Sequence, residues 1–300
     1  MDERDWLARR FQGHRPRLRA VAYRMLGSLS DADDAVQGAW LRLARADVGA
    51  VANLGGWLTT VVARESLDLL RARGSRREEL LPERLPDPVV GRWGAAGREE
   101  DPEAEALLAE GIGLAMLVVL DTLTPAERLA FVLHDTFGVP FAEIGRLLGR
   151  STAAAKMLAS RARRRVRGAA ADAEPDPSRQ REVVEAFYAA ARQGRFEDLV
   201  ALLDPGAVVR ADSGRSAGVE VVRGAPEVAR RVVESGGFGH PALTPRRALV
   251  NGTAGLVLVT AGRAVAVLGF TVRRGRVAEV DIFADPQRLR RLDMAVLDEP

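Results

Sequence analysis

Residues 74–104 contain four glycines and four prolines: Gly74, Gly91, Gly94, Gly97, Pro82, Pro86, Pro88 and Pro102. That density of breakers forbids a long helix or a central strand. A second, shorter break follows at Asp172–Ser178, with Pro175 and Pro177. A chain of 300 residues is too long for one ordinary core. The breaks divide it into pieces at 1–77, 105–170 and 179–300, joined by linkers at 78–104 and 171–178.

The first two pieces read as helical. Leu18, Val21, Ala22, Met25 and Leu26 recur at helical spacing and stop at Gly27. Ser30 is the expected N-cap of the next helix, with Asp33 as its acidic partner. After Asn53-Leu-Gly-Gly56 another helix runs from Trp57 to about Arg73. Helices resume near Glu103, and Thr124-Pro-Ala-Glu127 forms a capping box with proline at the first helical position. The third piece changes character. Helices at 181–193 and 196–203 precede alternating apolar runs, and Asn251-Gly252 between two such runs marks a hairpin. The expected fold class is multidomain: two all-α domains, then an α+β domain with a curved antiparallel sheet.

Composition excludes several function classes. Zero cysteines rule out disulfides and thiolate metal sites, and three scattered histidines disfavour a histidine site, so neither metal nor cofactor is expected. No apolar run approaches the ~18 residues needed to span a bilayer, and the charged start lacks a signal core. The chain is read as soluble and cytoplasmic. Net charge is +3, and the whole excess lies in the first part: residues 1–170 carry 26 basic and 23 acidic side chains, residues 171–300 carry 18 of each.

The densest chemical signal is Val139 to Arg165. Phe141, Ile144, Leu147 and Leu148 give one helix an apolar side, Gly149 ends it in the left-handed region, and Ser151 caps a second helix. On that second helix Ala155, Leu158, Ala159, Ala162 and Val166 fall on one side. Thr152, Lys156, Ser160, Arg163 and Arg167 fall beside them. Between 151 and 170 stand six cations and no acid. This is a helix-turn-helix pattern, with Thr152, Lys156 and Met157 near base edges, Ser160, Arg161, Arg163 and Arg164 near phosphates, and the capping Ser151 counted with these DNA contacts. A basic helix on an ordinary bundle is the bland alternative.

Two separated segments, taken together, resemble bacterial RNA polymerase sigma factors of the extracytoplasmic-function group. The first carries Arg24-Met-Leu-Gly, Asp31-Ala-Asp-Asp-Ala-Val-Gln-Gly-Ala-Trp-Leu-Arg42 and Gly56-Trp-Leu-Thr-Thr-Val-Val-Ala-Arg64. The second carries Leu123-Thr-Pro-Ala-Glu-Arg128, Glu143-Ile-Gly145 and Ala159-Ser-Arg-Ala-Arg-Arg-Arg165. The resemblance makes 1–77 the region 2 domain and 105–170 the region 4 domain. It implies that Asp33, Asp34, Gln37 and Trp40 dock on core RNA polymerase. It implies that Asn53, Trp57, Thr60, Arg64, Arg71 and Arg73 grip the melted −10 strand, and that the helix-turn-helix reads the −35 duplex. Core packing is the alternative role for Trp40 and Trp57.

The piece at 179–300 resembles the SnoaL-like cone, which a subgroup of these sigma factors carries. Three motifs of that subgroup appear in altered form. Trp-Leu-Pro-Glu-Pro in the linker is here Arg84-Leu85-Pro86-Asp87-Pro88. A glycine-rich loop is Asp212-Ser213-Gly214-Arg215, and a terminal motif of the Asn-Pro-Asp-Lys-Leu type is Ala284-Asp285-Pro286-Gln287-Arg288-Leu289. The resemblance implies a regulatory role for Leu85, Pro86, Asp212, Gly214, Asp285 and Pro286. A small ligand in the cone is an open partner, and an anti-sigma protein is unknown. Catalysis is weighed on Asp212, His240 and Asp281, and the bland roles are favoured: a turn, a loop and a strand hydrogen bond. Two rival functions stay open: a DNA-binding regulator that needs no polymerase, and an enzyme fused to a DNA-binding module.

Overall fold

The computed structural model describes residues 3–46, 53–77, 84–93, 114–170, 174, 176–214, 218–234, 236, 242–292 and 294. His240, Arg215 and the expected helix start near Glu103 lie outside these residues. The chain forms two compact units.

The first unit is helical. Its elements are α1 (Glu3–Leu26), α2 (Leu29–Leu43), α3 (Leu54–Arg77), α4 (Leu114–Asp121), α5 (Pro125–Phe131), α6 (Phe141–Leu148) and α7 (Thr152–Ala170), with a π-helical turn Val132–Thr136 after α5. The apolar stripes meet as expected: Leu18, Val21 and Met25 of α1, Ala35 and Ala39 of α2, and Leu58 and Val62 of α3 are buried. Each large aliphatic buried this way stabilises by about 1.5–3 kcal/mol. One cap differs from expectation. Ser28, not Ser30, caps α2 by accepting from the Asp31 amide at 3.3 Å, so the helix starts before Ser30. Both serines have the right chemistry, and the chain reversal at Gly27 (φ +68°) places the earlier one. The Thr124 capping box is present on both sides.

Helices from before and after the long linker share this unit. Arg128, 3% exposed, donates from Nε to the Arg24 carbonyl at 3.0 Å. Arg17 donates to the Phe137 carbonyl at 3.1 Å, and the Arg24 guanidinium lies 5.0 Å from the Phe137 ring.

The second unit packs α8 (Pro177–Arg192), α9 (Phe196–Leu202) and α10 (Ala225–Glu234) on one face of a seven-stranded sheet. The strands are β1 (Val90–Arg92), β2 (Leu203–Asp212), β3 (Glu220–Arg223), β4 (Thr244–Val250), β5 (Thr253–Thr260), β6 (Arg263–Arg273) and β7 (Arg276–Phe283), in the order β1-β4-β5-β6-β7-β2-β3; a short α11 (Pro286–Leu289) follows. The sheet is mixed, not purely antiparallel, because β2 runs parallel to β7. The Asn251-Gly252 turn joins β4 to β5, with both residues at positive φ. The linker is not free chain throughout. Val90–Arg92 pairs with β4 at the sheet edge, the kind of position a breaker-rich segment tolerates. Helix α10 was not expected, although Ala225, Val228, Ala229 and Val232 bury at helical spacing.

Candidate nucleic-acid and polymerase interface

Helices α6 and α7 make the helix-turn-helix. Gly149 takes φ +63° at the end of α6, and the Ala154 amide donates to the Ser151 hydroxyl at 3.2 Å. Gly145 is needed for closeness: a Cβ there would lie 2.8 Å from the Arg150 carbonyl oxygen. Ala155, Leu158, Ala159, Ala162 and Val166 bury the inner side of α7. Thr152, Lys156, Met157, Ser160, Arg161 and Arg164 are exposed on one outer stripe, as is Ser151 before it. Arg163 departs from the expected face. It is half-buried, and its Nε donates to Asp135 at 2.6 Å. The wheel placed it beside Lys156, but a carboxylate from the π-helical turn claims it.

Asn53 stands just before α3, and Trp57, Thr60, Arg64 and Arg71 follow it at helical spacing along one stripe. Asn53 accepts from the Gly56 amide at 3.0 Å and so starts the helix. Trp57 and Thr60 are half-buried and Arg64 is exposed. Arg71 pairs with Asp68 at 3.6 Å. Arg73, half-buried, is tied back to the fold by Asp31 and by the Leu26 carbonyl at 3.3 Å.

On α2, Asp33, Gln37 and Trp40 line a groove of 240 Å³ whose other wall is Phe11, Gln12 and Arg15 of α1. Trp40 packs against Phe11 with ring centroids 5.1 Å apart, and Asp33 accepts a forked bond from Arg19 at 2.8 and 3.2 Å. Asp34 is exposed, and Leu41 beyond it is 49% exposed. Sequence reasoning missed the α1 wall, although Phe11 stands seven residues before Leu18 on the same stripe.

The linker motif meets the other two subgroup motifs inside the second unit. Asp212 ends β2. Its Oδ1 accepts from the Gly214 amide at 3.0 Å, and its Oδ2 accepts from the Leu85 amide at 3.1 Å and from Arg288 at 2.9 Å. Arg288 also donates to the Leu85 carbonyl at 2.7 Å and to Asp87 at 2.9 Å, and stacks 4.5 Å from the Phe283 ring. Asp285 caps α11 through the Gln287 and Arg288 amides, with Pro286 at its first position, and faces Arg84 at 3.6 Å. Gly214 has φ +70°, and a Cβ there would fall 2.5 Å from the Asp285 carboxyl carbon. Leu85, Pro86 and Asp87 are buried. Arg288 and Asp87 were missed as site residues; both lie inside the motifs already quoted.

The face of the sheet under the helices is apolar: Val184, Phe187, Leu199, Val228, Leu256, Leu268, Phe270 and Val280 form its buried cluster. Strand alternation turns Arg210, Asp212, Glu279 and Asp281 to the other face. Arg210 donates to Glu279 at 2.8 Å and to Asp281 at 2.9 Å. Burial raises the Asp281 carboxyl to about 6, against the pull of Arg210 and with a smaller push from Glu279. Although burial opposes its charge, the two carboxylates raise the Arg210 pKa. A carboxyl raised above its ordinary 3.8 contributes most stability at low pH and loses it as pH rises through about 6. Relative to Asp281→Asn, the native chain should therefore lose stability as pH rises from about 4 to about 6, read from urea midpoints. A constant difference across that window would reject the assignment.

Among the described residues no helix is long and apolar enough to cross a membrane, and no group of three or more potential ligands could hold a metal.

Comparison with known proteins finds two family models, in chain order. The family model for Sigma-70 region 2 matches residues 10–76, and that for Sigma-70, region 4 matches 114–166. The ECF RNA polymerase sigma factor SigJ of Mycobacterium tuberculosis is 42% identical, covering 93% of this chain and 91% of its own length. The probable ECF RNA polymerase sigma factor SigI of the same species is 33% identical over 96% of this chain and 97% of its own. The crystal structure of the M. tuberculosis extracytoplasmic function sigma factor SigJ superposes with a TM-score of 0.75 at 37% identity, covering 96% of this chain and 99% of that one.

Proposed function

Since the chain belongs to the extracytoplasmic-function sigma factors of bacterial RNA polymerase, we propose particular residues for each of its contacts. It binds core RNA polymerase and directs promoter recognition and transcription initiation. The observation that carries this is the presence of both sigma regions in one chain that matches a sigma factor nearly end to end. Its place of work is the cytoplasm, with core polymerase.

The α1–α2 groove takes a helical element of the polymerase. Asp34 and Gln37 offer polar contacts, Trp40 and Leu41 apolar ones. Asp33 shares its charge with Arg19, so it contributes less than a free carboxylate would. Asn53, Trp57, Thr60 and Arg64 meet the melted −10 strand, where bases need a stacking surface and phosphates a cation. Arg73 serves the fold instead, tying α3 to Asp31. In the −35 duplex, Lys156 reaches base edges and Arg161 and Arg164 the phosphates. Lys156→Ala is thus expected to change which promoters are used. Arg161→Ala should weaken all of them alike and lower the salt slope of binding by about one unit. Equal, promoter-independent losses for both would contradict the assignment.

The second unit regulates rather than catalyses. The sheet face under its helices is apolar, and Asp212, weighed as an acid/base, is spent on the linker and Arg288. The linker segment Leu85–Val90 is the part it holds.

Initiation also requires the first unit to open. Elements named −10 and −35 lie about 25 base pairs apart, roughly 85 Å of duplex at about 3.4 Å per pair. A compact unit of some 130 described residues has a radius of gyration of only about 14 Å. Its two DNA-reading parts, packed together through Arg128 and Arg17, do not span that distance. Co-purification tests the partner: tagged chain should bring down the core subunits, and Trp40→Ala with Leu41→Ala should reduce them. Failure to recover any core subunit would count against the reading.

A further inference from the structure

The exposed stripe of α7 is polar or cationic except at two residues. Lys156, Ser160, Arg161 and Arg164 are interrupted by Ala153 and Met157, one helical turn apart and both exposed. Met157 is 56% exposed, more than any other large hydrophobic among the described residues. It contributes little to packing the helix-turn-helix, whose inner side is carried by Ala155, Leu158, Ala159 and Ala162. Both residues lie in the N-terminal half of α7, the part of such a helix that meets base edges.

An apolar pair in a cationic face has few partners in duplex DNA. Phosphates offer it nothing apolar, and the sugar C–H groups are the same at every position and specify no sequence. In the major groove the base edges present donors and acceptors, and one apolar group: the thymine C5 methyl. A thioether is flexible and polarisable, and settles against such a group without strict geometry. Ala153 lets the backbone of that turn come close. We propose that Ala153 and Met157 form a thymine-methyl reader, so that the upstream element is specified at one position by an apolar contact, beside the polar reading by Lys156. This rests on α7 entering the −35 duplex, as proposed above.

The test uses the full chain with core polymerase, on a promoter found by mapping its own initiation sites. Each thymine of the upstream element, on either strand, is replaced singly by uracil, which removes the methyl and keeps the pairing. At one position uracil should weaken promoter binding about fourfold, the effect of one methyl withdrawn from contact. Met157→Ala should weaken binding to the thymine promoter by a similar factor and be indifferent to uracil at that position. Met157→Leu should keep part of the effect. Uracil tolerated at every position, an element with no thymine on either strand, or a Met157→Ala holoenzyme as uracil-sensitive as the native one would overturn the proposal. If no promoter supports initiation at all, it is the sigma-factor reading that fails.

Discussion

Arg288→Ala is expected to release the linker from the second unit. The Arg288 side chain is 15% exposed and bonds Asp212, Asp87 and the Leu85 carbonyl together. Removing it leaves two carboxylates, 3% and 10% exposed, without the cation they share. Breaking a buried pair by deleting one partner costs about 3–5 kcal/mol, and the partial exposure here argues for the lower end, about 3 kcal/mol. The Leu85 amide donates to Asp212 and is the natural reporter. Its hydrogen exchange should accelerate by about 100-fold, since each 1.4 kcal/mol is a factor of ten. Arg288→Lys should fall between, because an ammonium keeps the charge but lacks the rigid five-donor fork that serves both carboxylates and the Leu85 carbonyl. An unchanged Leu85 exchange rate in Arg288→Ala would show that the linker is held by something else. If the linker governs activity, the same variant should also shift promoter output.

A covalent tie between the two DNA-reading parts of the first unit should abolish initiation. The chain has no cysteine, so Arg17→Cys with Phe137→Cys gives a unique pair. Arg17 reaches the Phe137 carbonyl, so a cleavable thiol reagent spanning roughly 10 Å, an extended arginine plus one hydrogen bond, would bridge them. Once bridged, the unit keeps its fold but not the freedom to place its two readers some 85 Å apart along DNA, as the roughly 3.4 Å rise demands. Transcription should drop to the level of core polymerase alone and return when the bridge is cleaved. Each single-cysteine variant treated with the same reagent should stay active. Full activity of the bridged protein would mean that the packing through Arg128 and Arg17 persists during initiation.

What could be read in the sequence was what local chemistry decides. The helix-turn-helix needed only Gly149, Ser151 and an apolar period, and the hairpin only Asn251-Gly252; both appear with the expected backbone. The cap of α2 was misplaced by two residues because Ser28 and Ser30 are chemically equivalent and tertiary context chose between them. Long-range pairings were not legible. Arg288 and Asp87 stand 201 residues apart, and no periodicity links them. The parallel pairing of β2 with β7, and the ion cluster of Arg210, Glu279 and Asp281 that it assembles, depend on a crossover that no local signal announces. The displacement of Arg163 from the face proposed for DNA has the same origin: its partner Asp135 lies 28 residues earlier, on a π-helical turn that the residues did not foretell. Of the groove proposed for the polymerase, Asp33, Gln37 and Trp40 were named from the sequence and the α1 wall was not, because a groove belongs to two helices and a motif to one.

The central claim is tested most directly by transcription in vitro from a genomic library, with purified core polymerase and the full chain. The account predicts discrete start sites absent with core alone, preceded by shared −10 and −35 elements, with the site pattern altered by Lys156→Ala. Core plus chain that initiates nowhere above core alone would contradict it.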